Sequence, residues 1–169
     1  MIRALKTLTP AIVAALCLVA AGGSSATNGD LPSGWHRIER PLSSVVYPRQ
    51  VLAAATYPIV FAGPPQDCHP SAAVNQMPPD GVLVQIIEYA STAPTGKTLR
   101  VPRLPRRPHR FSYEDAIYAP FECAGRSYQF SYEQAGHALQ AQIWMKLNTV
   151  DPLRRAEALR ILNHFKPES

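Results

Sequence analysis

Three observations predict an α+β fold, a mainly antiparallel twisted sheet packed by a C-terminal helix. Tyr128, Phe130 and Tyr132 alternate with Ser127, Gln129 and Ser131, and beyond Gly136 the residues Leu139, Ala141, Ile143, Met145 and Leu147 share one parity. Period two over two adjacent runs joined by a short segment is a β-hairpin signature. Val82 to Tyr89 is apolar on both parities, as a strand covered on both faces requires. Asp151-Pro152, a capping residue followed by a first-turn proline, then opens a run with Leu153, Ala156, Leu159, Leu162 and Phe165 at near-helical spacing. Seventeen prolines in 169 residues favour short elements over long helices.

Taken in order, Arg3 and Lys6 precede the apolar run Ala11 to Ala21, and Ser24 and Ala26 are small residues placed for a cut after residue 26. That pattern predicts a secretory signal peptide over 1–26. The run is shorter than the ~20 apolar residues of a membrane-spanning helix, so no transmembrane domain is expected after cleavage. The expected location is secreted or extracytoplasmic, with a tether formed by an uncleaved N-terminal segment as the alternative. Leu16 stands where lipid attachment at Cys17 would want a small residue. Cleavage lowers the formal charge from +5 to +3, a mildly basic chain. Residues 27–34 read as a flexible leader, and 35–169 as a single α+β domain with a basic, proline-rich loop at 91–110.

Cys17 leaves with the signal, so Cys68 and Cys123 reach an oxidising compartment as a pair, and a disulfide between them is expected. A metal role for Asp67-Cys68-His69 lacks a second ligand pair at a recognisable spacing. Neither a metal site nor a cofactor is expected.

Trp35, Ile38 and Val45 to Tyr47 read as the start of the sheet, at an edge because Pro41 and Pro48 interrupt them. Val51 to Phe61 reads as a strand in which Pro58 marks a bulge or an edge position. Between residues 68 and 77 one or two helical turns are expected, with Pro70 in the first turn and Pro78-Pro79 as the stop. Asp80-Gly81 then turns the chain into Val82 to Tyr89, the predicted central strand. Its Glu88 has two readings: a buried acid of raised pKa, or a partner for a base or for solvent, which ordinary burial preferences favour.

Residues 91–110 contain four prolines and few large apolar side chains. Arg100, Arg103 and Arg106 repeat with a step of three, as do Pro102, Pro105 and Pro108. A polyproline II helix has three residues per turn, which would align the arginines along one edge. With Arg107 they are candidate contacts for an anionic envelope polymer, lipid headgroups or an acidic protein. The plainer alternative is an exposed connection kept soluble by charge. No aromatic interleaves the arginines, so nucleic acid is not an expected partner. Phe111 to Tyr118 reads as a further strand, closed by Pro120. Trp144 has the parity of Gln140, Gln142 and Lys146, opposite the apolar set. It is either an exposed contact for a sugar, a lipid surface or a protein, or is covered by the segment that carries Trp35.

Chemical signatures are absent. His36, His69, His109, His137 and His164 are scattered, no serine lies in a Gly-x-Ser-x-Gly turn, and no phosphate loop, His-Glu-x-x-His or dinucleotide fingerprint occurs. The expected function is a non-catalytic binding or assembly module at the cell envelope. The alternative is a small extracytoplasmic hydrolase whose site is not recognisable from sequence. Gly81-Val82-Leu83-Val84, Tyr128-Gln129-Phe130, the Gly136 turn and the closing Ala156 to Phe165 run together resemble small exported proteins of actinobacteria. Over roughly the last 60 residues, hairpin followed by helix is also similar to the PsbP-like α/β/α sandwiches. That resemblance implies a binding or assembly role and transfers no functional residues.

Overall fold

The computed structural model describes residues 31–44, 48–64, 70–89, 96, 98, 100–121, 125–145 and 149–167. Six strands form one antiparallel sheet: β1 (His36–Arg37), β2 (Arg49–Ala55), β3 (Val82–Tyr89), β4 (Ile117–Phe121), β5 (Gly125–Gln134) and β6 (His137–Met145), in the spatial order β1-β2-β3-β6-β5-β4. Two helices accompany it, α1 (Ser71–Asn75) and α2 (Pro152–His164). The signal-peptide region, Val45 to Tyr47, Cys68 and Cys123 lie outside the described residues.

The hairpin forms where the alternation places it. Ala135 (φ 51°) and Gly136 (φ 83°) make a two-residue turn of positive φ, whose twist matches that of the flanking strands. In the resulting register Phe130 faces Ala141 and Tyr132 faces Leu139. β3 then pairs with β6 from Val82↔Met145 to Tyr89↔Ala138, so these two strands form the middle of the sheet.

The sheet buries both faces. Leu52, Val84, Ile86, Leu139, Ile143 and Phe130 pack on one side against Ala158, Ile161 and Leu162 of α2 and against Phe165, which follows it. On the other side Ala53, Ala55, Leu83 and Trp144 pack against Leu42, Tyr57, Ala73 and Met77. This two-sided cover is why β3 carries apolar residues on both parities. Asp151 caps α2 through its carboxylate, which accepts from the Leu153 N–H at 2.8 Å, with Pro152 at the first position.

Four sequence expectations change. The strand expected over 51–61 is β2, which stops at Ala55. Beyond it Pro58 offers no amide, the Tyr57 hydroxyl donates to the Ala73 carbonyl, and Val60 exchanges hydrogen bonds with the Gln76 side chain, so the chain leaves the sheet to seat α1. The strand expected over 111–118 is instead a 3-10 turn at Tyr113–Asp115 followed by β4. Ser112 accepts from the Glu114 N–H and Asp115 accepts from the Ser112 N–H, a reciprocal cap that outcompetes the extended chain. Pro120, expected to close that strand, lies within β4 opposite Arg126, on an edge strand where a missing donor is tolerated. The packing face of α2 is also rotated: Ala158, Ile161 and Leu162 are buried, whereas Leu153 is 63 % exposed and Ala156 is exposed.

Candidate functional site

The connection from β3 to β4 must travel from the middle of the sheet to its far edge. β4 pairs only with Gly125 to Gln129, which leaves the outer edge of the second half of β5 open. Residues 105–107 meet that edge: the Glu133 N–H donates to the Pro105 carbonyl (2.7 Å) and the Arg107 N–H donates to the Glu133 carbonyl (2.9 Å), a parallel bridge centred on Arg106. The basic segment therefore covers an otherwise unpaired strand edge.

Within this segment exposure repeats every three residues. Arg100, Arg103 and Arg106 are exposed, whereas Val101, Leu104 and Arg107 are half-buried. The third edge of the three-residue repeat thus faces the protein, and the arginine edge points away from it. No ion pair or hydrogen bond engages the side chains of Arg100, Arg103 or Arg106 among the described residues.

Arg107 has a different job. Its guanidinium donates to the Asn163 carbonyl at 2.8 Å and the Leu162 carbonyl at 3.4 Å, and lies 5.0 Å from the Phe111 ring centroid. It caps the C-terminal carbonyls of α2, which have no partner within the helix. Unlike the exposed arginines of the repeat, Arg107 directs its terminal guanidinium nitrogens to backbone carbonyls of the fold.

Three residues after Arg106 the chain enters a cleft of about 510 Å³ between residues 109–111 and the outer side of α2. Phe111, Ala156 and Leu159 supply apolar wall, while His109, Arg110, Arg160, Asn163 and His164 supply polar groups. No carboxylate lines it among the described residues. Arg160 has only a loose approach to Glu157, at 4.0 Å, because the other Glu157 oxygen is held at 2.9 Å by both Arg154 and the Trp35 indole N–H. Asn163 Oδ1 accepts from the Phe111 N–H, which leaves the amide nitrogen of that side chain as a donor.

A second polar cluster sits at the hairpin end of the sheet. A bulge at Val51 shifts the register of β2, so Arg49 pairs with Glu88 while Leu52 pairs with Ile86, and both face the α2 side. The Arg49 guanidinium donates to Glu88 Oε2 at 2.5 Å and His137 Nδ1 donates to Oε1 at 2.6 Å. Burial pushes the pKa of Glu88 up, but the hydrogen bonds and charges of Arg49 and His137 outweigh it and hold the carboxyl below its ordinary value. Glu88 is thus an ionised carboxylate joining three strands, the paired form of the two sequence alternatives. The partners were not foreseeable, since Arg49 and His137 lie 39 and 49 residues away.

Trp144 is 1 % exposed and belongs to the core under α1. The reading of it as a ligand platform is corrected, because Met77, Tyr57 and Leu42 close over the ring. The cover comes from the N-terminal segment in part, through Ile38 and Leu42, but Trp35 itself lies on the opposite, α2 side.

Among the described residues no group of three histidine, cysteine or acidic side chains is arranged to hold a metal ion, and no helix is long and apolar enough to cross a membrane. Comparison of the chain with family models, with curated proteins and with solved structures finds no match. The class of protein is therefore defined by the fold and the basic surface alone: a two-sided α+β sheet bearing an unpaired arginine edge beside a cationic cleft.

Proposed function

We propose that this protein is an exported, envelope-associated binding module whose arginine edge recognises an anionic polymer. The observation that carries the reading is the edge itself: Arg100, Arg103 and Arg106 are exposed and free of carboxylate partners, on a segment pinned to β5 by two backbone hydrogen bonds. At ~3.1 Å per residue a step of three places successive guanidinium groups about 9 Å apart. A regular series of cations suits a chain of repeated phosphates or carboxylates better than one headgroup, and the guanidinium fork matches either anion. Holding the segment against the sheet lowers the ordering cost of binding. Export rests on the signal pattern of residues 1–26, and the order hairpin then helix over roughly the last 60 residues carries the PsbP-like resemblance, whose members serve in binding and assembly.

Purified protein applied to intact cell-envelope fractions at low and high salt tests the reading. We expect salt-sensitive retention, and about tenfold weaker retention of the Arg100→Ala, Arg103→Ala, Arg106→Ala variant, from ~0.5 kcal/mol for each exposed charge pair. Retention that is unchanged in the variant would overturn it. Retention that survives extraction of anionic polymer would move the partner to lipid headgroups or an acidic protein.

A hydrolase is the second reading, and one observation favours it: Glu88 holds Nδ1 of His137, which leaves the other ring nitrogen as a possible base. Arg49 engages the same carboxylate, and among the described residues no serine or threonine hydroxyl hydrogen-bonds to His137. A disulfide between Cys68 and Cys123 also belongs to this proposal. It rests on the even pair of cysteines reaching an oxidising compartment.

A further inference from the structure

The helical spacing of Leu153, Ala156 and Leu159 would place all three in the core, yet Leu153 and Ala156 are exposed, and Leu159, packed against the core on one side, lines a cleft with Ala156 on the other. What this rotation of α2 creates is a chemically asymmetric site. Its apolar lining is Ala156 and Leu159 with the edge of the otherwise buried Phe111, and its rim holds Arg110 and Arg160 with the amide nitrogen of Asn163. Arg110 has no ion pair or hydrogen bond among the described residues, and the approach of Arg160 to Glu157 is only 4.0 Å. The volume of about 510 Å³ lies in the ~300–1,000 Å³ range of small-molecule sites, which are mostly apolar with a few placed polar groups.

We propose that this cleft binds a single-chain amphiphilic anion, its phosphate or carboxylate head between Arg110 and Arg160 and its hydrocarbon chain along Phe111, Ala156 and Leu159. Charge complementarity selects the head: two guanidinium groups and a neutral amide donor face the site, with no carboxylate among them. The apolar lining of Ala156 and Leu159 selects the tail. A neutral lipid would leave Arg110 without an anionic partner, and a bare inorganic anion would leave the apolar lining in water. The inference extends the anion-binding reading to a second, chemically distinct site, and it uses none of the arginines of the polymer edge.

Calorimetric titration of the purified protein with decyl phosphate, kept below its micelle concentration, provides the test. We expect saturable binding of one molecule per chain, with decanol and inorganic phosphate each at least tenfold weaker. Arg110→Ala with Arg160→Ala should weaken decyl phosphate at least tenfold, and Ala156→Phe, which fills the cleft, should do the same. Circular dichroism and thermal melting confirm that each variant is folded; should Ala156→Phe not fold, the arginine pair decides. Equal binding of decanol and decyl phosphate would overturn the proposal, as would unchanged binding in the arginine pair. The Arg100, Arg103, Arg106 variant should keep full decyl phosphate affinity. Loss there alone would assign the anion to the polymer edge and remove the cleft site while leaving the binding-module reading intact. Unchanged envelope retention in that variant, with normal decyl phosphate titration, would leave the cleft intact although the polymer reading failed.

Discussion

At the scale of single residues, the Arg49–Glu88–His137 cluster has the clearest energetic consequence. Glu88 is 8 % exposed, and its carboxylate accepts from two side chains on neighbouring strands. Its folded-state pKa is lowered, so it contributes stability above the unfolded value of ~4.3, and that contribution is lost as pH falls through the lower folded value. Glu88→Gln should therefore destabilise the protein by about 2 kcal/mol at pH 7, the usual scale for hydrogen bonds to a charged group. The difference between variant and parent should shrink in acid, below the ordinary carboxylate range. Urea unfolding at pH 7 and at pH 3 measures both values, and a difference independent of pH would mean that Glu88 acts through packing alone.

At the scale of elements, the basic segment and α2 are mutually dependent. Residues 105–107 satisfy the open edge of β5, and Arg107 satisfies the last carbonyls of α2 while stacking on Phe111. Arg107→Ala should thus cost about 2 kcal/mol of stability, whereas the exposed Arg106→Ala should change it by less than about 0.5 kcal/mol. Denaturant melts of the two variants make the comparison; equal effects would contradict the division of labour along the segment. The same reasoning separates structural from functional arginines that are adjacent in sequence. A step of three groups Arg100, Arg103 and Arg106 on one edge, and Arg107, one residue on, turns inward beside Val101 and Leu104.

At the scale of the whole molecule, strand order explains why a basic, proline-rich segment exists at all. The chain passes from β3 at the centre to β4 at the far edge, then returns through β5 to place β6 against β3. The proposed bridge between Cys68 and Cys123 would tie the approach to β3 to the loop that begins this return. Closing ~56 residues would contribute ~4 kcal/mol in the chain-entropy model. Peptide mapping of the secreted protein without reductant should recover the two cysteines in one linked pair, and reduction should lower the melting temperature. Two free thiols in the secreted protein would exclude the bridge.

Much of this architecture was legible because it is local. The hairpin is written in alternation and in Gly136, the start of α2 in Asp151-Pro152, and the two-sided burial of β3 in its doubled apolar parity. Each of those signals acts over a few residues, through backbone geometry or capping, and is complete without the rest of the chain. The Ser112–Asp115 cap was also readable, as a Ser-x-x-Asp spacing, but the aromatic alternation around it points to a strand. The pairing of Glu88 with Arg49 depends on a bulge and on strand order, and the burial of Trp144 depends on which segment crosses its face. Helical periodicity identifies α2 but leaves its rotation open, because its apolar stripe is wider than the face it buries; only packing against the sheet left Leu153 and Ala156 exposed. The sequence by itself determined the elements and the arginine repeat, since both follow from local spacing. Tertiary structure alone decided which arginines are spent on the fold, and that a cationic cleft forms beside those that are not, because both depend on contacts between residues far apart in the chain.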